Sequence, residues 1–277
     1  MADEGKRCAF CGSREKLTSE HVMGDWIKQH LSPTMNKHRQ SVVTMSEPGK
    51  LNNREVRIRA GDPLNSQVGI LCGSCNSERL GPIQERAQPP LAPLFRGESQ
   101  TLDASARSII SAWLAMLTMT GEYMMLPPRI AVPQVDRDWL RTTRTAPRHW
   151  RIWIGHCEEW LPEKSWFKTT LAFLDPEDLP KVVSGENYPA NTQTTAMKFG
   201  KLFAFTMSSI FPEIVANWDW LPTPRAKLCL QQIWPDPGWD VVWPFCRMSS
   251  GDAKDFAVSF VAYWDTEAAR DGYIPRP

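Results

Sequence analysis

Four cysteines in the first third of the chain have the residue type and spacing of a metal site. Cys8 and Cys11 form one Cys-x-x-Cys turn, and Cys72 and Cys75 form a second. Each such turn delivers two thiolates to one ion, and zinc binds four thiolates in a tetrahedron with Zn–S distances of about 2.3 Å. The two turns therefore predict a structural zinc site that fastens the start of the chain to the segment after Cys75. The alternative is a set of scattered buried thiols.

A group of polar residues lies between and directly after these turns. Glu20 and His21 are adjacent, and Asn76 follows Cys75. Hydrolysis of a phosphodiester needs a base that deprotonates water and a divalent cation that holds the developing charge. Imidazole exchanges a proton near neutral pH, and Mg²⁺ prefers oxygen ligands. The plainer alternatives are a polar His21 beside a zinc site and an Asn76 that caps a helix.

Successive side chains of an extended segment point to opposite faces, so Glu20 and His21 can border one cleft only at a strand end. The predicted elements provide such an end. Within residues 1–97, short extended or helical segments are predicted over 16–21, 25–31, 41–45, 56–60 and 67–71. A turn at 47–49 joins the third and fourth segments. A helix is predicted from near Asn76, interrupted or restarted at Gly81 and Pro82, with the prolines of 88–93 closing the domain.

Residues 98–277 are predicted to form a second domain. A helix should begin at 101–103, and a terminal helix should cover 252–264. Antiparallel strands are predicted over 150–154, 167–173, both sides of Gly200 and 228–234. The predicted fold class is therefore α+β, with a mixed domain of antiparallel sheet and helix after the N-terminal domain.

Composition sets weak limits on function. The chain has 277 residues and a formal net charge of +1. Residues 1–100 contain 14 basic and 11 acidic residues, whereas the remainder contains 18 and 20. This tilt fits an N-terminal part that faces nucleic acid. The most apolar stretch, 109–126, contains Glu122, so it predicts a buried helix and no membrane span.

The remaining cysteines and the first residues indicate a cellular compartment. Cys157, Cys229 and Cys246 lie outside the two turns and are predicted to be reduced and buried. The polar start of the chain does not resemble a secretory signal. Both features predict a cytoplasmic protein.

The residues quoted above resemble the HNH (His-Me finger, ββα-metal) endonuclease family in its zinc-stapled form, over roughly residues 6–88. The resemblance implies that His21 is the general base and that Glu20 and Asn76 bind a catalytic Mg²⁺ or Mn²⁺. It implies a structural role for the zinc held by Cys8, Cys11, Cys72 and Cys75. The implied reaction is hydrolysis of DNA, most naturally double-stranded, to a 5′-phosphate and a 3′-hydroxyl. Bacterial or phage defence is a setting typical of such enzymes.

Several positions depart from the family pattern. Gly24 stands where many members have proline, and Leu80 stands where many have a further histidine. Gln67 replaces the middle asparagine of the pattern; its amide can still orient His21, or Asn65 can substitute. The gap between His21 and Cys72 is longer than is usual in the family, so residues 28–60 are interpreted as an insertion. These departures favour the rival hypothesis, a zinc-stapled module that binds nucleic acid or protein without catalysis.

A basic cluster lies on the predicted hairpin. Its residues are candidates for phosphate contact, although a solvated charged edge is the ordinary explanation. The candidate nucleic-acid-binding residues are Lys37, Arg39, Arg54, Arg57 and Arg59. RNA remains an alternative substrate. The second domain is expected to position DNA, dock a partner protein or form a homodimer.

Overall fold

The computed structural model describes residues 6–31, 36–47, 50–124, 128, 130–158, 164–171, 189–216, 228–249, 251–253 and 255–256. Within these ranges the strands are β1 (Leu17–His21), β2 (Lys37–Glu47), β3 (Lys50–Ala60), β4 (Gln67–Cys72), β5 (Gln100–Leu102), β6 (Arg151–Cys157), β7 (Lys164–Leu171), β8 (Thr192–Phe199), β9 (Leu202–Ser209), β10 (Gln231–Trp234), β11 (Val241–Trp243) and β12 (Arg247–Met248). The α-helices there are α1 (Gly81–Arg96), α2 (Ala104–Gly121), α3 (Gln134–Thr143) and α4 (Pro212–Ala216). Shorter helical segments are 3₁₀ turns at Asp25–Gln29 and Pro63–Asn65 and a π-helix at Cys75–Leu80.

The fold is mixed α+β with mainly antiparallel strand pairs, as predicted. The largest sheet has the order β10-β6-β9-β8-β7, and β12 runs parallel beside β6. The strands on both sides of Gly200 are confirmed as β8 and β9. Gly200 has φ 57°, and a Cβ there would lie 2.3 Å from the carbonyl oxygen of Phe95. Only glycine fits that turn, which brings the sheet against the end of α1.

Helix α2 confirms the predicted buried helix. Asp103 caps its start by accepting a hydrogen bond from the backbone N–H of Ala106 at 2.7 Å. Glu122, directly after the helix, is fully buried. Its carboxylate pairs with Arg137 and with Lys168, which offsets the cost of burying its charge. Among the described helices, none is both long and apolar enough to span a bilayer.

Aromatic packing joins the two predicted domains. Trp26 stacks on Phe95 with ring centroids 5.7 Å apart. Phe95 contacts Trp113, and Trp113 lies 5.5 Å from Phe199 of β8. A single buried apolar cluster therefore contains residues from both sides of position 97.

The prolines of residues 88–93, which were predicted to close the N-terminal domain, do not interrupt helix α1. Pro89, Pro90 and Pro93 all lie inside α1. Each proline lacks the N–H of a helical hydrogen bond. However, α1 buries an apolar face that includes Leu91 and Leu94, and this packing outweighs the local preference.

The cysteine prediction for the second part of the chain is only partly correct. Cys157 is buried and not disulfide-bonded, but Cys229 and Cys246 form a disulfide with Cα atoms 4.7 Å apart. The segments that contain them converge beside β6, since β10 and β12 both pair with that strand. Sequence spacing gave no sign of this convergence.

Two further predictions need adjustment. The strand predicted over 228–234 is shorter and begins at Gln231. The chain is helical at 251–253 and 255–256, whereas the rest of the predicted terminal helix lies outside the described residues. The tip of the predicted turn, residues 48–49, also lies outside them.

Candidate functional site

The four predicted zinc ligands converge in the structure. Their sulfur atoms all lie within 4.8 Å of one another, and the Sγ atoms of Cys11 and Cys72 are 3.6 Å apart. A regular tetrahedron with Zn–S bonds of 2.3 Å has edges of about 3.8 Å. The cluster therefore has the donor set and the spacing that a zinc ion requires.

Local backbone structure builds this cluster. The first Cys-x-x-Cys turn closes through a hydrogen bond from the N–H of Gly12 to the carbonyl of Cys8. The N–H of Ala9 donates to the carbonyl of Ile70 at 2.8 Å, which holds that turn against β4. Cys72 ends β4, and Cys75 begins the π-helix.

The thiols of the cluster have unequal environments. Burial acts to raise the pKa of Cys8, but hydrogen bonds from the backbone of Cys72, Phe10 and Cys11 outweigh burial and lower it to about 7. Burial raises the pKa of Cys72 and that of Cys75 above the ordinary range of a thiol. Bound zinc would provide the positive charge that stabilises the thiolates.

A small cavity of about 40 Å³ lies beside this cluster. That volume accommodates a few water molecules. Glu20, His21 and Asn76 all line this cavity, and so do Gln84 from α1 and two residues of α2. The lining residues are Glu20, His21, Val22, Leu71, Asn76, Leu80, Gly81, Gln84, Met116 and Thr120.

The pairing of β1 with β4 explains how adjacent residues reach one cavity. His21 lies opposite Gln67, and Glu20 lies opposite Val68. The register shifts between Thr18 and Glu20, where β4 contains one residue more than β1. A bulge of this kind re-aims side chains at the end of a strand.

Two side chains hold the imidazole of His21. The Nε2 atom of Gln67 lies 3.1 Å from Nε2 of His21, and the Oε1 atom of Gln67 accepts a hydrogen bond from Ser19 at 3.0 Å. On the other side, Nδ1 of His21 lies 3.4 Å from Oδ2 of Asp25. A hydrogen bond from Lys28 is the main reason that the pKa of Asp25 is lowered, so this carboxylate stays ionised. Asn65 lies in a 3₁₀ turn, whereas Gln67 faces His21.

Asn76 lies in the first turn of the π-helix and lines the cavity. Ser74, not Asn76, occupies the N-cap position, and no side chain caps that helix. Leu80 is buried in the cavity wall. Among the residues that line the cavity, Glu20 and Asn76 are the side chains with oxygen atoms suited to Mg²⁺ at the predicted positions.

The departure at Gly24 has a steric explanation. A Cβ on Gly24 would lie 2.7 Å from Nε1 of Trp26 and 2.9 Å from Oε1 of Gln84. Proline has a Cβ as well, so neither proline nor alanine fits without moving these side chains. Glycine at this position therefore permits the contact between Trp26 and Gln84.

The basic candidates lie on a separate antiparallel hairpin. β2 and β3 pair with each other over 11 residues each and form their own two-stranded sheet. Lys37, Arg57 and Arg59 are exposed, and so are the apolar residues Val56 and Ile58. The side chains of Arg39 and Arg54 lie outside what the structure describes.

Sequence reasoning missed two polar residues of the site, Asp25 and Gln84. Asp25 reaches His21 only because the chain turns into a 3₁₀ segment after β1. Gln84 reaches the site from α1.

No family model, curated protein or solved structure matches the chain.

Proposed function

We propose that this chain is a metal-dependent endonuclease of the HNH, or ββα-metal, type that hydrolyses DNA. The observation that carries the proposal is the cavity that Glu20 and His21, adjacent on β1, share with Asn76, which lies on the π-helix far along the chain. Two antiparallel strands, β1 and β4, followed by a helix frame this cavity, and a four-cysteine cluster lies beside it.

The metal would be held by the carboxylate of Glu20 and the amide oxygen of Asn76. Bound there, Mg²⁺ or Mn²⁺ would neutralise charge on the scissile phosphate. Two protein ligands suffice because Mg²⁺ keeps several of its waters. Position 80, where many members of the family have a histidine, is a buried leucine and so provides no third protein ligand.

His21 would take the proton from the attacking water. For this it needs a free nitrogen lone pair, and the orientation of the Gln67 amide decides which one. As placed, the NH₂ group of Gln67 faces Nε2 of His21, so Nε2 carries the lone pair and the Nδ1–H faces the Asp25 carboxylate. The attacking water would replace Gln67 as the donor to Nε2. The Asp25 carboxylate, 3.4 Å from Nδ1, then stabilises the imidazolium that forms.

DNA would be held in part by the β2–β3 hairpin. Residues 37–60 contain six basic and two acidic residues, so the hairpin is complementary in charge to phosphate. A two-stranded ribbon fits the major groove of B-DNA.

Removing two hairpin charges should weaken DNA binding without regard to sequence. For Arg57→Gln/Arg59→Gln, we expect the slope of log affinity against log salt to fall by about 2, since each phosphate contact contributes about one counterion. Fluorescence anisotropy with a labelled duplex at several salt concentrations measures the slope. Arg86→Gln/Arg148→Gln removes the same charge from exposed positions outside the hairpin. Equal slopes for both double variants would contradict the role of the hairpin.

The proposed activity is tested with supercoiled plasmid and labelled RNA incubated with Mg²⁺, Mn²⁺ or EDTA. We expect metal-dependent nicked or linear DNA with 5′-phosphate ends. Preferred cleavage of RNA would change the substrate class. A zinc-loaded protein that binds DNA but cleaves nothing with either metal would favour the non-catalytic module, which the loss of a ligand at Leu80 supports.

A further inference from the structure

Gln84 has an amide whose orientation is set by its neighbours. Its Oε1 accepts hydrogen bonds from Nε1 of Trp26 at 3.2 Å and from Nε1 of Trp113 at 2.9 Å. An indole N–H is a donor only, so two indoles require the carbonyl oxygen at that end of the amide. The NH₂ group therefore lies at the opposite end.

Packing keeps both indoles in place. Trp113 is fully buried, and Trp26 stacks on Phe95. Gly24 lets Trp26 and Gln84 approach closely, because any Cβ at that position would collide with both side chains. Rotation of the amide by 180° would set its NH₂ group against two indole donors. The amide orientation is thus a property of the fold.

The NH₂ group itself has no hydrogen-bond partner among the described residues, and it is not one of the buried unpaired atoms. Gln84 lines the cavity that contains Glu20, His21 and Asn76. An amide nitrogen does not bind Mg²⁺, which takes oxygen ligands. An anionic oxygen is the strongest kind of acceptor that this donor can take.

We propose that the NH₂ group of Gln84 donates a hydrogen bond to a non-bridging oxygen of the substrate phosphate in this cavity. This role rests on the nuclease function proposed above. Gln84 would then be a substrate-binding residue that complements the metal, since it neutralises no charge but fixes the orientation of the phosphate. The two tryptophans would act through it by keeping its donor directed into the cavity.

The test uses Gln84→Glu, which keeps an oxygen for both indoles but has no donor. Gln84→Met lacks the donor without adding charge. Gln88→Glu adds the same charge one helical turn further along α1. We expect both Gln84 variants, in a His21→Ala background with Mg²⁺, to bind a labelled duplex about 10- to 100-fold more weakly. With His21 present, cleavage should fall by a similar factor, and Gln88→Glu should resemble wild type.

Thermal melting and tryptophan fluorescence separate binding from folding. Gln84→Glu should melt near the wild-type temperature, since both indole hydrogen bonds remain. Wild-type affinity in both Gln84 variants, or an equal loss in Gln88→Glu, would overturn the role of Gln84 and leave the nuclease proposal intact. If wild type itself neither binds nor cleaves DNA, the nuclease proposal fails and this role fails with it.

Discussion

Cys72→Ser is expected to remove bound zinc and to lower the midpoint of thermal unfolding by roughly 10 °C or more. The four sulfur atoms lie within 4.8 Å of one another, and three of the four cysteines are buried. Without the ion, the four sulfur atoms lose their common ligand, and the first turn keeps its backbone hydrogen bond to Ile70 of β4 but loses the metal link. Elemental analysis should find one zinc per chain in the wild type and a substoichiometric amount in the variant.

Cys157→Ser is the matched control, because Cys157 is a buried cysteine that is not disulfide-bonded and lies outside the cluster. It should keep its zinc and lose only the small stability that a buried hydroxyl costs, about 1–3 kcal/mol. EDTA should lower the melting midpoint of wild type and of Cys157→Ser but not that of Cys72→Ser. Zinc-free wild-type protein that melts at the same temperature as the zinc-loaded protein would rule out a structural metal.

The second large effect is expected at His21. Replacing His21 with alanine should reduce the rate of plasmid cleavage by about 10²- to 10⁴-fold, the usual contribution of a general base. Duplex affinity should change little, since the proposed phosphate and metal contacts come from other residues. Single-turnover cleavage and anisotropy measure the two quantities separately.

His30→Ala serves as the control for this experiment. His30 lies nine residues further on and packs near Trp26, but it does not line the cavity. It should cleave within a few-fold of the wild-type rate. Cleavage at the wild-type rate by purified His21→Ala protein would show that another group activates water.

The parts of the site that are local in sequence were predictable. Two Cys-x-x-Cys turns fix their own geometry, so the cluster of Cys8, Cys11, Cys72 and Cys75 followed from spacing alone. The strand ending at His21 was also predicted, because a short extended segment beside a turn has a strong local signal. Contact of His21 with Gln67 was only one of two alternatives, the other being Asn65, and the structure places Gln67 beside His21.

The parts that depend on tertiary packing were not predictable. Gln84 meets Trp26 across 58 positions and Trp113 across 29, and no spacing rule connects them. Helix α1 continues past its three internal prolines because its apolar face packs into the core, and that packing is tertiary. The Cys229–Cys246 disulfide likewise depends on two segments that converge beside β6.

The wall of the cavity has a practical consequence for protein engineering. Met116 and Thr120 of α2 close one side of it, although both lie beyond residues 1–97. A fragment of residues 1–97 transplanted into another protein would lack the side of the cavity that α2 provides. In that fragment Trp26 and Phe95 would also lose their contacts with Trp113. Grafts and minimal versions of this protein should therefore extend at least through α2.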